Sequence, residues 1–449
     1  MNLTDILNAF ESNQIRHIRL GLFDMDGILR GKVVSRSKFE SAAASGMSFC
    51  DVVFGWDMND DLYDRESLTG WHTGYPDAHV KIDIDTFRLV PWEPNTAFFL
   101  MDMVDGDGKP YPLSPRHLLA RLIDRASDMG YTFRAAAEYE YFFFRETSHS
   151  IYEKGFKNLT PLSPGMFGYS AIRAATYSDL VHDIIESMDA FDVEIEGMHT
   201  ETGPGVYETA IRYSDGIAAA DRAALFKNGI KELAPRHDLV ATFMAKWNAD
   251  LPGCSGHIHQ SLIDPGGNNL FASEEGPLSD TARSYLAGVL DLMPAMTSFY
   301  CPNINSYKRA VPGVWSPVNV SWGVDNRTVS VRAISGDSPK AARLECRLPG
   351  ADANPYLAMA ACLASGLYGI DKGLTPPDPV EGNAYETDGL TELPSNLGAA
   401  AALLKANADV REWLTDTFVD HYVMTREHEV RRYEKAVTDW ELTRYFEAT

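Results

Sequence analysis

Apolar residues first recur at helical spacing: Leu3, Ile6, Leu7 and Phe10 share one face, which predicts a short helix over residues 3–13. The period then changes. Ile15 to Phe23 and Ile28 to Val34 read as two strands joined by an Asp26-Gly27 hairpin turn. His79 to Leu89 and Thr96 to Met103 predict further strands, while Asp51 to Asp64 is acidic and aromatic without a clear period and reads as an ordered loop. This first unit is β-rich. Asp105-Gly-Asp-Gly108, with Pro110, Pro112 and Pro115 behind it, interrupts the pattern and divides the chain into residues 1–108 and 109–449. Ser114 and Pro115 form a cap and first turn for a helix over His117 to Met129. Beyond it short strands alternate with helices. Residues 375–396, rich in Pro, Gly, Thr and Asp, read as a loop, and 397–447 as mostly helical.

Composition narrows the function class. The chain has 449 residues, too many for one ordinary core, with 45% hydrophobic and 23% charged residues, as in soluble globular proteins. No apolar run has the length to span a bilayer, and Met1 to Phe10 lacks the pattern of a signal peptide. A formal net charge of −23 repels nucleic acid and anionic lipid, so neither is expected as a partner. Five scattered cysteines without a CxxC pair fit reduced thiols and a cytoplasmic location.

Four segments carry candidate chemistry. In Ala135 to Phe144 dense aromatics predict a strand, which places Glu138 and Glu140 on one face, about 6.6 Å apart. At an effective dielectric of about 20 their repulsion costs ~2.5 kcal/mol, and a cation between them reverses the sign. A solvated strand face is the plain alternative. In Val193 to Glu208, the carboxylates Glu194, Glu196, Glu201 and Glu208 cluster, and a Gly-Pro-Gly turn between the last two folds them toward one point. Oxygen-rich sets of this kind suit magnesium or manganese. His257 and His259 share a face if residues 253–261 form a strand, and the glycines before them allow close backbone approach to a ligand. Arg309, Arg327, Arg332, Arg343 and Arg347 concentrate in one region of an acidic protein, and Arg343, Glu345 and Arg347 alternate with Leu344, Cys346 and Leu348. Guanidinium forks match carboxylates and phosphates, although salt bridges to the many glutamates would also account for them. A metal cage beside an arginine-lined anion pocket is what phosphoryl transfer needs, and the chain has no P-loop or kinase glycine loop.

These residues resemble glutamine synthetase of the bacterial type I class. The likeness covers nearly the whole chain, in order: Ala-Glu-Tyr-Glu-Tyr-Phe at 137–142, His-Thr-Glu at 199–201, Tyr-Glu-Thr at 207–209, His-Ile-His at 257–259, Asn-Ser-Tyr-Lys-Arg at 305–309, Asn-Arg-Thr at 326–328, Arg-Leu-Glu-Cys-Arg at 343–347 and Ala-Asn-Pro-Tyr-Leu at 353–357. The resemblance implies an α+β protein, an N-terminal β-grasp domain followed by a catalytic α+β domain. It implies sites between neighbouring subunits of a ring, commonly two stacked hexamers. It implies two or more Mg2+ or Mn2+ ions, one held by Glu140, Glu201 and Glu208, another by Glu138, His257 and Glu345. Arg309 and Arg347 would hold L-glutamate, with Gly253 offering backbone contacts. Arg327 and Arg332 would stabilise the transferring phosphoryl group, and Glu196, His259, Ser261, Lys340, Arg343 and Arg327 would face ATP. The implied reaction phosphorylates the γ-carboxylate of glutamate and hands the acyl phosphate to an amine.

The chain departs from the ammonia-using members in places that concern the amine. Two residues after Pro312-Gly313, where those enzymes carry a glutamate, stands Trp315. An indole is no base, but it covers an apolar substituent or faces a cation. The loop that holds the family's ammonium-binding acid reads Phe49-Cys-Asp-Val-Val-Phe-Gly-Trp56, with Asp51 in the acidic role, and Pro252 replaces an asparagine before Gly253. These changes resemble those of the γ-glutamyl amide ligases, so the expected substrate is an amine larger than ammonia: a polyamine, alkylamine, amino alcohol or aryl amine. True glutamine synthetase is the nearest alternative, and a non-catalytic structural member or a glycoside hydrolase with paired carboxylates are more distant ones. Asn383-Ala-Tyr385 resembles the start of the family's regulatory tyrosine loop, but its continuation differs.

Overall fold

The computed structural model describes residues 2–449. Helix α1 (Leu3–Ser12) opens the described chain through a capping box: the Asn2 side chain accepts from the Asp5 amide at 2.9 Å and the Asp5 carboxylate accepts from the Asn2 amide at 3.1 Å. Strands β1 (His17–Phe23) and β2 (Leu29–Ser35) pair antiparallel around a turn in which Asp24 Oδ1 accepts the amides of Asp26 and Ile28, and Gly27 takes φ 74°. Helix α2 (Arg36–Ser45) follows, then β3 (Met47–Cys50), β4 (Asp77–Ile82), β5 (Arg88–Leu89) and β6 (Thr96–Val104). The sheet runs β2-β1-β6-β4-β3, with β1 parallel to the central, mostly apolar β6 and β5 paired to β6. The continuous strand expected over His79 to Leu89 is broken. Asp83 accepts the Asp85 amide and starts a single 3-10 turn, Ile84–Thr86, and its carboxylate is held by Arg116 at 2.7 Å.

Helix α3 (Pro115–Asp128), capped by Ser114, leads to β7 (Thr132–Phe144), the central strand of a nine-stranded sheet. Helices α4 (Ser148–Glu153), α5 (Ala171–Thr176) and α6 (Ser178–Ala190) precede β8 (Ile195–Thr200), β9 (Val206–Ile211) and β10 (Ser214–Asp215). Helix α7 (Ile217–Leu233), β11 (Val240–Thr242), β12 (Gly256–Ile263) and α8 (Asp280–Tyr300) come next. Then follow β13 (Trp322–Val324), β14 (Val331–Ile334), β15 (Arg343–Cys346) and α9 (Pro355–Asp371). The sheet order is β13-β14-β15-β12-β7-β9-β8, with β10 and β11 each also paired antiparallel to β7. Its two faces separate by the period of two. Tyr139, Tyr141 and Phe143 of β7 are buried, Tyr139 stacking on Phe226 of α7 at 6.1 Å, while Glu138 and Glu140 point to the opposite face.

Residues 374–396 carry no helix or strand, and α10 (Leu397–Ala406), α11 (Ala408–Leu414), α12 (Asp416–Lys435) and α13 (Asp439–Tyr445) complete the chain. Among the described residues no helix is long and apolar enough to cross a membrane. Helix α12 docks against the N-terminal unit. Arg426 pairs with Asp26 of the hairpin at 2.6 Å, both nearly inaccessible, and Ser67 lies 2.6 Å from His421 Nδ1. Burial, with Arg426 nearby, pushes His421 down to about 3. The unfolded chain therefore binds a proton between pH 6.5 and 3 that the folded chain refuses. Stability is retained above pH 6.5 and lost as pH falls through that window, by about 1.4 kcal/mol per pH unit from this group. His421→Gln is expected to flatten the acid limb of urea-unfolding free energy against pH. An unchanged slope would remove His421 from the account.

Candidate active site

Cross-strand pairing sets the site. On β7 and β9, Glu140 lies opposite Glu208; on β12 and β7, His257 lies opposite Glu138. His259 faces Glu345 across β12 and β15, and Glu345 faces Arg332 across β15 and β14. His199 of β8 faces Glu208, with Nε2 and Oε1 2.9 Å apart. One sheet face thus carries carboxylates and histidines in its middle and arginines at one side. Glu201 stands where the β8–β9 hairpin begins, its carboxylate accepting from the Thr202 amide at 2.5 Å. Gly203 and Gly205, both at positive φ, make the turn that returns the chain to Glu208.

This face floors a cavity of about 520 Å3. Glu138, Glu140, Glu201, Glu208, His257 and Glu345 line it, as do Arg309, Arg327, Arg332, Arg347, Gly253 and Trp315. Glu345 is held by two guanidinium groups, Arg332 at 3.0 Å and Arg347, with the His257 imidazole 3.3 Å away. Arg309 is buried, donating to Ser255 Oγ at 3.1 Å and to the Leu348 carbonyl. Gly253 is required by close approach, since a Cβ there would lie 2.4 Å from the Ala245 carbonyl oxygen. A second cavity, about 280 Å3, is lined by Glu196, His259, Ser261, Lys340 and Arg343, and Glu138 belongs to both. Five of the six residues expected at the nucleotide therefore meet in one place. Arg327 is the exception and lines the larger cavity only.

The acidic cluster is frustrated as it stands. Burial, then its contact with Glu138, pushes Glu208 up to about 11; burial, relieved only partly by the Ser255 amide, pushes Glu140 up to about 7. Burial would raise Glu138 too, but its bond from His259 (2.7 Å) and the neighbouring Glu208 hold it well below the ordinary carboxylate range. For Glu345 burial is likewise outweighed by His257, His259 and Arg347, which bring it to about 2. Burial and Arg347 lower His257 to about 3, and its Nε2 is buried without a partner. Neutral imidazole and crowded carboxylates are the donor set of divalent cations, so these residues fit the ions the sequence implied. Ligand atoms of Glu138, His259 and Glu345 already lie within 4.8 Å of one another. His259 turns to Glu138 here, while His257, expected in that set, contacts Glu345.

Asp51 lies elsewhere. It is buried in the N-terminal unit, accepting from Tyr111 OH at 3.4 Å, and does not line either cavity of its own chain. Trp315 is 59% exposed with φ 55°, on a loop whose next carbonyl, Ser316, accepts from Tyr385 OH at 3.1 Å. Three lining residues escaped the sequence reading. Tyr169 (φ 55°) stacks on His199 at 4.2 Å, Thr202 follows Glu201, and Ser255 supplies an amide to Glu140 at 2.6 Å. Each sits in irregular backbone, where no period marks it.

Comparison with known proteins agrees with this geometry. The model of the family "Glutamine synthetase, catalytic domain" matches residues 112–445. Type-1 glutamine synthetase 2 of Dictyostelium discoideum is 45% identical over 455 residues, 100% of this chain and 87% of that protein. The glutamate–isopropylamine ligase of a Pseudomonas species is 41% identical over 447 residues, 98% of this chain and 97% of that protein. Among solved structures, a GmaS complex with ADP aligns with a TM-score of 0.86 at 27% identity, covering 99% of this chain and 100% of the other.

Proposed function

This chain belongs to the glutamine synthetase family, and from that premise we propose that it is an ATP-dependent ligase that joins the γ-carboxylate of L-glutamate to an amine larger than ammonia. The observation that carries the reading is one cavity with a buried carboxylate–histidine floor and an arginine wall, meeting a second cleft of about 280 Å3 at Glu138. Glu140, Glu201 and Glu208 would hold one Mg2+ or Mn2+ ion, and Glu138 and Glu345 with His257 or His259 another. The bound ions would share the phosphate charge.

The remaining roles fall to side chains. Arg309 and Arg347 hold glutamate, whose γ-carboxylate oxygen attacks the γ-phosphorus of ATP as the bond to ADP breaks. Arg327 and Arg332, with their fixed positive charge, face the migrating phosphoryl group. Glu196, His259, Ser261, Lys340 and Arg343 line the nucleotide side. The amine nitrogen then attacks the acyl carbon, phosphate leaves, and a carboxylate takes the amine's proton. We assign that role to Asp51 of a neighbouring copy, since Asp51 lines neither cavity of its own chain; a ring, with a dodecamer of two hexamers, is the proposed assembly. A cytoplasmic location and a division into units 1–108 and 109–449 belong to the same reading; one sheet lies within residues 17–104, the other within 132–346.

Trp315, Val314 and Pro252 form an apolar ledge on the larger cavity, where a carbon substituent on nitrogen gains contact that ammonia cannot use. The test is phosphate release from ATP, with Mg2+ and glutamate fixed, across ammonia, methylamine, isopropylamine, ethanolamine, putrescine, spermidine and aniline, with product masses measured. An organic amine is expected to exceed ammonia in kcat/KM by about tenfold or more. Preference for ammonia would instead establish a glutamine synthetase, the reading favoured by the name of the Dictyostelium relative.

A further inference from the structure

Behind the large sheet lies a cavity of about 670 Å3 that shares no lining residue with the two described above. Its walls are the β1–β2 hairpin turn, α7, the end of α8 and α12. Lys227 and Lys231, one turn apart on α7, and Lys308, just after α8, converge on it, in a chain whose net charge is −23. The nearby acids are partly engaged. Asp26 is paired with Arg426, and Asp352 accepts on Oδ2 from Ser306 Oγ at 2.6 Å and Asn303 Nδ2 at 2.9 Å, while its Oδ1 is buried without a hydrogen-bond partner. Lys227 is half-buried; it donates once, to the Ala353 carbonyl at 2.8 Å, and its ammonium sits 5.6 Å from the Tyr139 ring. Lys231 lies 5.7 Å from the Phe243 ring and Lys308 5.9 Å from that of Tyr433, and among the described residues none of the three lysines makes an ion pair. Burial, with Lys231 beside it, lowers Lys227 to about 7, and Asp352 offsets this only in part. Met25, Phe243 and Phe299 supply apolar wall.

We propose that this cavity binds a small organic anion, its carboxylate or phosphate head against Lys227, Lys231 and Lys308 and its apolar body against Met25, Phe243 and Phe299. Glu429, on the α12 wall, confines negative charge to the lysine end of the occupant. The site is separate from the proposed reaction and stands whether or not the amine assignment holds. It also lies against the machinery, since Tyr139 beneath Lys227 is the residue between Glu138 and Glu140 on β7.

Two fluorinated probes, 4-fluorobenzoate and 4-fluorophenyl phosphate, test it by fluorine NMR titration of the full-length protein up to about 10 mM. Binding of at least one is expected, persisting in saturating ADP and glutamate, and weakened tenfold or more in the double variant Lys231→Glu/Lys308→Glu. Both side chains are exposed, so that variant should keep its fold and its basal ligase turnover. The tighter probe names the head group. Binding unchanged in the double variant, loss of binding on adding ADP and glutamate, or no binding by either probe would each overturn the proposal.

Discussion

Glu138→Gln is expected to reduce ligase turnover by about 10³-fold or more, with no loss of fold. Glu138 is the one carboxylate common to the reaction cavity and the nucleotide cleft. It stands opposite His257 in the sheet, accepts from His259 at 2.7 Å, and is held ionised beside Glu208 and Glu140, whose own carboxyls are pushed up. Glutamine keeps the shape and an acceptor oxygen for His259 but removes a unit of negative charge where a divalent ion would sit. Loss of several kcal/mol of transition-state stabilisation follows from losing such an ion. Stability should fall modestly as well. In the metal-free protein the ionised Glu138 is held by His259 and Glu208, so glutamine loses a charge that the fold favours, and the melting temperature without metal should be equal or lower. Phosphate-release kinetics over a Mg2+ titration, paired with calorimetric melting, reads both quantities. Turnover within tenfold of wild type would take Glu138 out of the metal assignment.

Trp315→Gly is expected to lower kcat/KM for the preferred organic amine about 10- to 100-fold while changing the value for ammonia little. The choice of glycine follows from the backbone. Trp315 has φ 55°, a conformation that costs a bulky residue and suits glycine, so the variant removes the indole without straining its loop. The indole is 59% exposed, as is natural for a group that covers a ligand rather than packs in a core. Its loop is held by the carbonyl contact with Arg347 at 3.5 Å and by Tyr385 on the adjacent Ser316, neither of which the substitution touches. Amine profiles of the two proteins measured side by side decide the point. If all amines fall by one common factor, Trp315 closes the site without selecting its substrate.

Much of this site could be read along single strands. Period-two alternation put Glu138 with Glu140 and Glu345 with Arg343 and Arg347, because side-chain direction in a strand is local. Capping chemistry likewise announced the Ser114 start of α3, and Asp26-Gly27 announced the first hairpin. Other features depended on partners distant in the chain. The expected strand over His79 to Leu89 ends early because Asp83 turns the backbone and is held by Arg116, a residue 33 positions on. His257 and His259 share a face, but which imidazole meets which carboxylate follows from the register of β12 against both β7 and β15. Arg327 lines the cavity of about 520 Å3 rather than that of about 280 Å3 because residues 325–330 leave the sheet before β14 begins.

The amino-acid sequence alone determined which carboxylates, histidines and arginines exist, their faces on each strand, and that an indole, Trp315, stands two residues after Pro312-Gly313. Only the tertiary structure decided which of these groups confront one another, that Glu138 joins two cavities, that Asp51 stays away from its own chain's site, and that three lysines meet behind the sheet. The reason is physical. Alternation and capping act over a few residues, whereas cross-strand register and helix-to-helix cavities are set by packing between segments whose separation in sequence carries no record of their distance in space.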